Sequence, residues 1–173
     1  MNLLRFLHAE CVTCDLDFEP SEPREDETEA QLGKRREADK ERVLLSLCQL
    51  MEASGQVASV SKLHRDLIHR ERKATTGIGS GLALPHVRTM QARHFIMGLA
   101  LWRGPEPLWF DSLDGEGVRA FFIMLSPPYE DRLYLQAYRA IGTLFKDEEF
   151  SPQLQACDRP NDVFNLLRGI LDR

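Results

Sequence analysis

The sequence predicts a helix-flanked β-sheet, of α/β or α+β class. Two observations carry that expectation. Apolar residues recur at helical spacing on both sides of the chain's middle, and the middle holds two short continuous apolar runs, HFIMGLALW and VRAFFIML. Runs of that length, rich in aromatic and branched residues and bounded by Gly, Pro and Asp, read as strands. Helices, then strands, then helices form a sheet that hides its faces under helices. At 173 residues, with 43% hydrophobic side chains, the chain is long enough for one core.

The elements follow in order. Residues 20–42 carry many charges of both signs and few large apolar side chains, so they cannot bury enough surface to offset their ordering entropy. They read as a solvated linker or polar helix between a short N-terminal element and the main domain. The expected division is therefore 1–39, an N-terminal element with a charged insertion, and 40–173, the domain proper. Val43, Leu44, Leu47, Cys48, Leu50 and Met51 give the first helix one apolar face, and Gly55 stops it. Ser59 caps a second helix that buries Leu63, Leu67 and Ile68 and carries Arg70 and Glu71 near its end. Strands are expected over 82–85, 94–102 and 118–125, with an edge strand at 108–110. Asp114-Gly115 marks a turn, and Pro127-Pro128 ends the last strand. A helix over about 131–145 presents Leu133, Leu135, Ala137, Ile141 and Leu144, and a final helix starts near Asn161 or Asp162.

Composition narrows the function classes. A net charge of -5 argues against an electrostatic footprint for nucleic acid. No apolar run reaches the length of a membrane span, and the N-terminus is too polar for a signal peptide. The expected location is the cytoplasm. Cys11 and Cys14 have zinc or redox spacing, but no second pair completes a site, so neither metal nor cofactor is expected.

The chemistry concentrates in GIGSGLALPH, residues 77–86. A dinucleotide fingerprint needs glycine where Leu82 stands, and a P-loop needs lysine after Gly81. Both nucleotide readings fail. Glycines still let backbone N–H groups approach an oxyanion, and Thr75, Thr76 and Ser80 add hydroxyls. A histidine at the end of such a turn is a competent phosphoryl nucleophile. The competing reading is a strand-end histidine bonded to a backbone carbonyl.

Arg70-Glu71 followed by Thr76-Gly77-Ile78-Gly79-Ser80-Gly81-Leu82-Ala83-Leu84-Pro85-His86 resembles the signature of the type-2 enzyme IIA domain of the bacterial phosphotransferase system, the fructose, mannitol and nitrogen-regulatory class. The resemblance covers residues 40–173. It implies a mixed sheet with helices on both faces. It implies that His86 accepts a phosphoryl group from a histidine-containing phosphocarrier protein, with Arg70 as the active-site arginine and Glu71 in support. Thr76, Gly77, Gly79, Ser80 and Gly81 would cradle the phosphate. A IIB protein or a regulatory target would receive it. The family's usual second histidine is replaced by Arg132, which stays cationic and would hold the phosphoryl oxygens, slowing onward transfer. Trp102, Trp109 and Phe110 are candidates for an apolar docking face. His8, His64, His69 and His94 read as structural or solvent-facing. The alternative function is a non-catalytic regulatory binder with this fold.

Overall fold

The computed structural model describes residues 2–171. After a 3-10 turn, Leu3–Arg5, come β1 (Leu7–Thr13), α1 (Glu29–Glu52), α2 (Val60–Lys73), β2 (Gly77–Gly79), β3 (Leu82–Ala83), β4 (His86–Arg88), β5 (Ile96–Leu101), β6 (Ala120–Ser126), α3 (Asp131–Leu144), α4 (Phe150–Gln155) and α5 (Pro160–Leu171). One sheet runs β1-β5-β6-β3-β2, and β4 joins the same edge of β6 as β3, further along it. The sheet is mixed: β1, β3 and β4 pair in parallel, whereas β5 pairs antiparallel with β6 and β2 with β3.

Side-chain alternation sends β5 and β6 into two cores. Phe121, Ile123 and Leu125 pack with Leu44, Leu47, Met51, Leu63 and Leu67 under α1 and α2. Phe122 and Met124 pack with Ala137, Ile141, Phe150, Leu154 and Val163 under α3, α4 and α5. Both strands are buried along their whole length, which is why they read as unbroken apolar runs rather than as alternating ones. The expected mixed sheet with helices on both faces is what the chain forms.

Two expectations are corrected. β1 belongs to the same sheet, with Leu7 opposite Met97 and Thr13 opposite Ala100, and α1 runs unbroken across residue 40. The division at 39/40 is therefore not a structural boundary. The polar first half of α1 is held by a capping box, Thr28 accepting from the Gln31 amide and Gln31 accepting from the Thr28 amide. The expected edge strand at 108–110 is reduced to one bridge, Leu108 opposite Val118.

Candidate phosphoryl site at His86

The glycine stretch is a β-hairpin. Gly77–Gly79 pairs antiparallel with Leu82–Ala83, and the two linking residues, Ser80 and Gly81, have φ of 55° and 75°. Two consecutive positive φ values make the tight turn that matches strand twist, and they explain a glycine at position 81. β3 and β4 then run parallel to β6, with Leu82 opposite Ala120 and His86 opposite Met124. Four residues of strand place the turn roughly 13 Å from His86.

That register corrects the expected cradle. Gly79, Ser80 and Gly81 sit at the far end of the hairpin, and the Ser80 amide donates to Asp114 Oδ2 at 2.9 Å. Thr76 and Gly77 lie nearer, since the Leu84 amide donates to the Thr76 carbonyl at 2.9 Å. Their own donors are occupied: the Thr76 amide and hydroxyl both bind the Glu71 carboxylate at 2.7 Å, and the Gly77 amide binds Thr75 Oγ1 at 3.1 Å. Glycines here shape a turn; their amides do not converge on the imidazole.

His86 itself is buried, at 5% exposure. Its Nδ1 lies 2.7 Å from the Leu84 carbonyl oxygen. A carbonyl only accepts, so Nδ1 carries the proton and Nε2 keeps its lone pair. Arg70 Nη2 donates to that Nε2 at 3.1 Å, while Arg70 Nη1 is anchored on the Ala74 carbonyl at 2.9 Å. Burial holds the imidazole pKa below its ordinary value and the Arg70 charge adds to this. The Leu84 bond and Glu71 oppose it. The backbone-carbonyl bond expected of a strand-end histidine is present, and it fixes the tautomer that leaves an unprotonated nitrogen beside a guanidinium.

Glu71 holds the segment that leads into the hairpin, through Thr76. Its buried carboxylate takes Lys40 Nζ at 2.9 Å, and Lys40 also lies 4.6 Å over the Phe110 ring. α1 is thereby pinned to the segment that leads from α2 into the hairpin. Lys40 was invisible to sequence reasoning, because it falls in a charge-rich stretch and its partner is 31 residues away; nothing short of the fold pairs them.

Arg132 stands in the first turn of α3. It is exposed, and among the described residues no hydrogen bond or ion pair engages it. The α3 side chains beside the imidazole are Tyr134 and Tyr138, with ring centroids 5.9 and 5.4 Å from it. Arg88, two residues beyond His86, lies 5.0 Å over the Tyr134 ring and pairs with Asp131 at 2.8 Å. Trp102 and Phe110 are buried in the core on the α1 side, so they form no docking face. Trp109 is half-buried beneath Arg36 and Lys40. His64 Nε2 bonds the Glu41 carbonyl at 2.7 Å, a structural contact.

The family model described as "Phosphoenolpyruvate-dependent sugar phosphotransferase system, EIIA 2" matches residues 28–169. A nitrogen regulatory protein of Bradyrhizobium diazoefficiens is 31% identical over 101 residues, 58% of this chain and 65% of that protein. The fructose-specific EIIABC component of Bacillus subtilis is 23% identical over 129 residues, 75% of this chain but only 20% of that protein, so this chain spans a small part of that relative's length. Nitrogen regulatory protein IIA-Ntr from Neisseria meningitidis shares the fold at a TM-score of 0.68 with 22% identity, over 94% of this chain and 97% of that one. A chain in the complex of enzyme IIA and phosphorylated enzyme IIB for mannitol from Escherichia coli does so at 0.65 with 16% identity, over 94% and 96%. These neighbours carry the same helix-flanked mixed sheet, and the match to the family model takes in α1 through most of α5 with the whole hairpin, leaving β1 outside it. The chain belongs to the EIIA 2 family of the phosphoenolpyruvate-dependent sugar phosphotransferase system.

Proposed function

We propose that this protein carries a phosphoryl group on His86 Nε2, taken from a histidine-containing phosphocarrier protein. The observation that carries the reading is the fixed tautomer: Nδ1 donates to Leu84 and leaves Nε2 unprotonated, its lone pair accepting from Arg70 at 3.1 Å. In the transfer Nε2 attacks phosphorus, and the donor's nitrogen–phosphorus bond breaks with its electron pair returning to the donor nitrogen. The His86 proton stays on Nδ1. Arg70 exchanges its bond to Nε2 for bonds to the phosphoryl oxygens, where a guanidinium stabilises the charge of a loose transition state. A IIB protein or a regulatory target is the acceptor.

A second reading, a regulatory binder whose phosphorylation only switches affinity, is favoured by the placement of Arg132. Where the family usually has a second histidine stands the exposed Arg132, which stays cationic and cannot give or take a proton as the phosphoryl group departs. Intact mass after incubation with phosphoenolpyruvate, enzyme I and the phosphocarrier protein tests the carrier role. An acid-labile adduct on wild type and none on His86→Ala is expected; no adduct on wild type sinks it. Onward loss of the label to a IIB protein separates carrier from regulator.

A further inference from the structure

Away from His86, a cavity of about 690 Å³ opens between the first half of α1, the 18–23 segment and the 102–109 loop. It shares no lining residue with the phosphoryl site, and its 18–23 wall precedes the residues that the family model matches. Both tryptophans of the chain line it, Trp102 and Trp109, together with Phe18, whose ring meets Trp102 edge-on at 5.8 Å. Leu32, Val43 and Leu108 complete an apolar interior. The 18–23 wall is pinned to α1: Asp39 accepts from the Ser21 amide at 3.1 Å, and Arg42 donates to the Glu19 carbonyl at 2.7 Å. A concave aromatic space of this volume has the size that holds a small organic molecule, about 300–1,000 Å³.

The charges around it decide which kind. Arg35 is taken by Glu27, and Asp39 by Arg42. Among the described residues, no hydrogen bond or ion pair engages the lining carboxylates of Glu19, Glu22 and Glu106, or the Arg36 guanidinium. Three unpaired acids against one unpaired cation favour a positive ligand. The rings favour the same charge, because an aromatic face attracts cations. The chain already sets two of its own there, Arg36 5.8 Å over Trp109 and Arg42 5.1 Å over Phe18. We infer that this cavity binds a small amphipathic organic cation, its apolar body against Trp102 and Trp109 and its ammonium toward the exposed Glu19, Glu22 and Glu106. A proline-rich peptide also suits aromatic walls, but the chain's own Pro20-Ser21-Glu22-Pro23 already lies along this one.

Three probes with one body and different heads test this on the full 15N-labelled chain: phenylpropylammonium, phenylpropanol and phenylpropanoate, with a proline-rich peptide as a fourth. Trp102 and Trp109 are the only tryptophans, so indole fluorescence reads the cavity directly. The ammonium is expected to give a saturable change, to bind about fivefold or more tightly than the alcohol, and to weaken as salt rises. It should shift the indole N–H signal of Trp109 and leave the amides of Arg70 and His86 in place. The variant Glu19→Gln/Glu22→Gln/Glu106→Gln, at three exposed positions, should weaken the ammonium about fivefold and leave the alcohol unchanged. No saturable change with any probe overturns the site, as do shifts confined to other parts of the chain. Alcohol or carboxylate binding as tight as the ammonium's overturns the charge assignment, and so does a variant that binds the ammonium like wild type. Tighter binding of the peptide overturns the small-molecule reading.

Discussion

At His86 the outcome turns on protons. Burial first, and the Arg70 charge second, lower the imidazole pKa, so the ring stays neutral where an ordinary histidine begins to charge. A neutral Nε2 is the nucleophilic form. Acceptance of phosphate is therefore expected to be flat with pH above the ordinary histidine value and to fall only at more acidic pH, as the ring protonates. Measuring the initial rate of labelling by phosphoramidate against pH checks this, and a midpoint above the ordinary value contradicts it. The linkage has the same sign. The unfolded chain takes up the proton first, so stability falls as pH drops from the ordinary histidine value through the lowered folded one. Arg70→Ala removes a contribution that lowers the pKa together with the cation that, in the proposed transfer, meets the phosphoryl oxygens. Its midpoint should move up and its rate at neutral pH fall by about a hundredfold. The pairing of His86 with Arg70 was legible in the sequence because one distinctive motif names both, and the two side chains do lie 3.1 Å apart. Tyr134 and Tyr138 were not, since aromatic residues at i and i+4 on a helix look the same whether they pack on a core or on an imidazole.

Between elements, the junction of α1, α2 and the hairpin depends on one buried ion pair. Lys40 and Glu71 have side chains only 6% and 5% exposed, and Glu71 also receives both donors of Thr76. Lys40→Met strands a buried carboxylate, and losses of about 3–5 kcal/mol are typical when one partner of such a pair is removed. Lys40→Met/Glu71→Gln should recover part of that loss, because the amide leaves no uncompensated charge while still accepting one Thr76 bond. Urea unfolding of the two variants decides it; a double variant no more stable than the single would show that the charge is not the source. The hairpin offers a separate check. Gly81 has φ +75°, so Gly81→Ala is expected to cost about 1 kcal/mol or more in the same assay. The sequence made the glycines conspicuous but not their purpose. A phosphate loop and a two-residue hairpin turn demand the same positive φ, and only the pairing of Gly77 with Ala83 separates them.

For the molecule as a whole, the informative element is β1. LHAECVT mixes charge with apolar residues, so it carries no strand period, and the stretch of mixed charge over 20–42 suggested a detached segment. The polar character has a positional cause: β1 is the edge of the sheet, and Glu10 is exposed there while Leu7, Cys11 and Val12 are buried. The long runs of β5 and β6 were legible because their burial is two-sided. α1 shows the same division within one helix, all of its buried residues lying from Lys40 onward. The two cores meet across this sheet, and β1 contributes to both, Leu7 and Val12 to one and Cys11 to the other. Removing residues 1–14 should therefore destabilise the entire protein rather than trim it. The urea midpoint should fall for fluorescence and circular dichroism together, and the β5 amides, including Met97, which donates to the Phe6 carbonyl at 2.8 Å, should lose protection from hydrogen exchange. A truncated chain that unfolds at the full-length midpoint, with β5 still protected, would restore the boundary at 39/40 and make the N-terminal strand an appendage. Loss of both together would make β1 part of the scaffold that holds β6, and through it His86, in register.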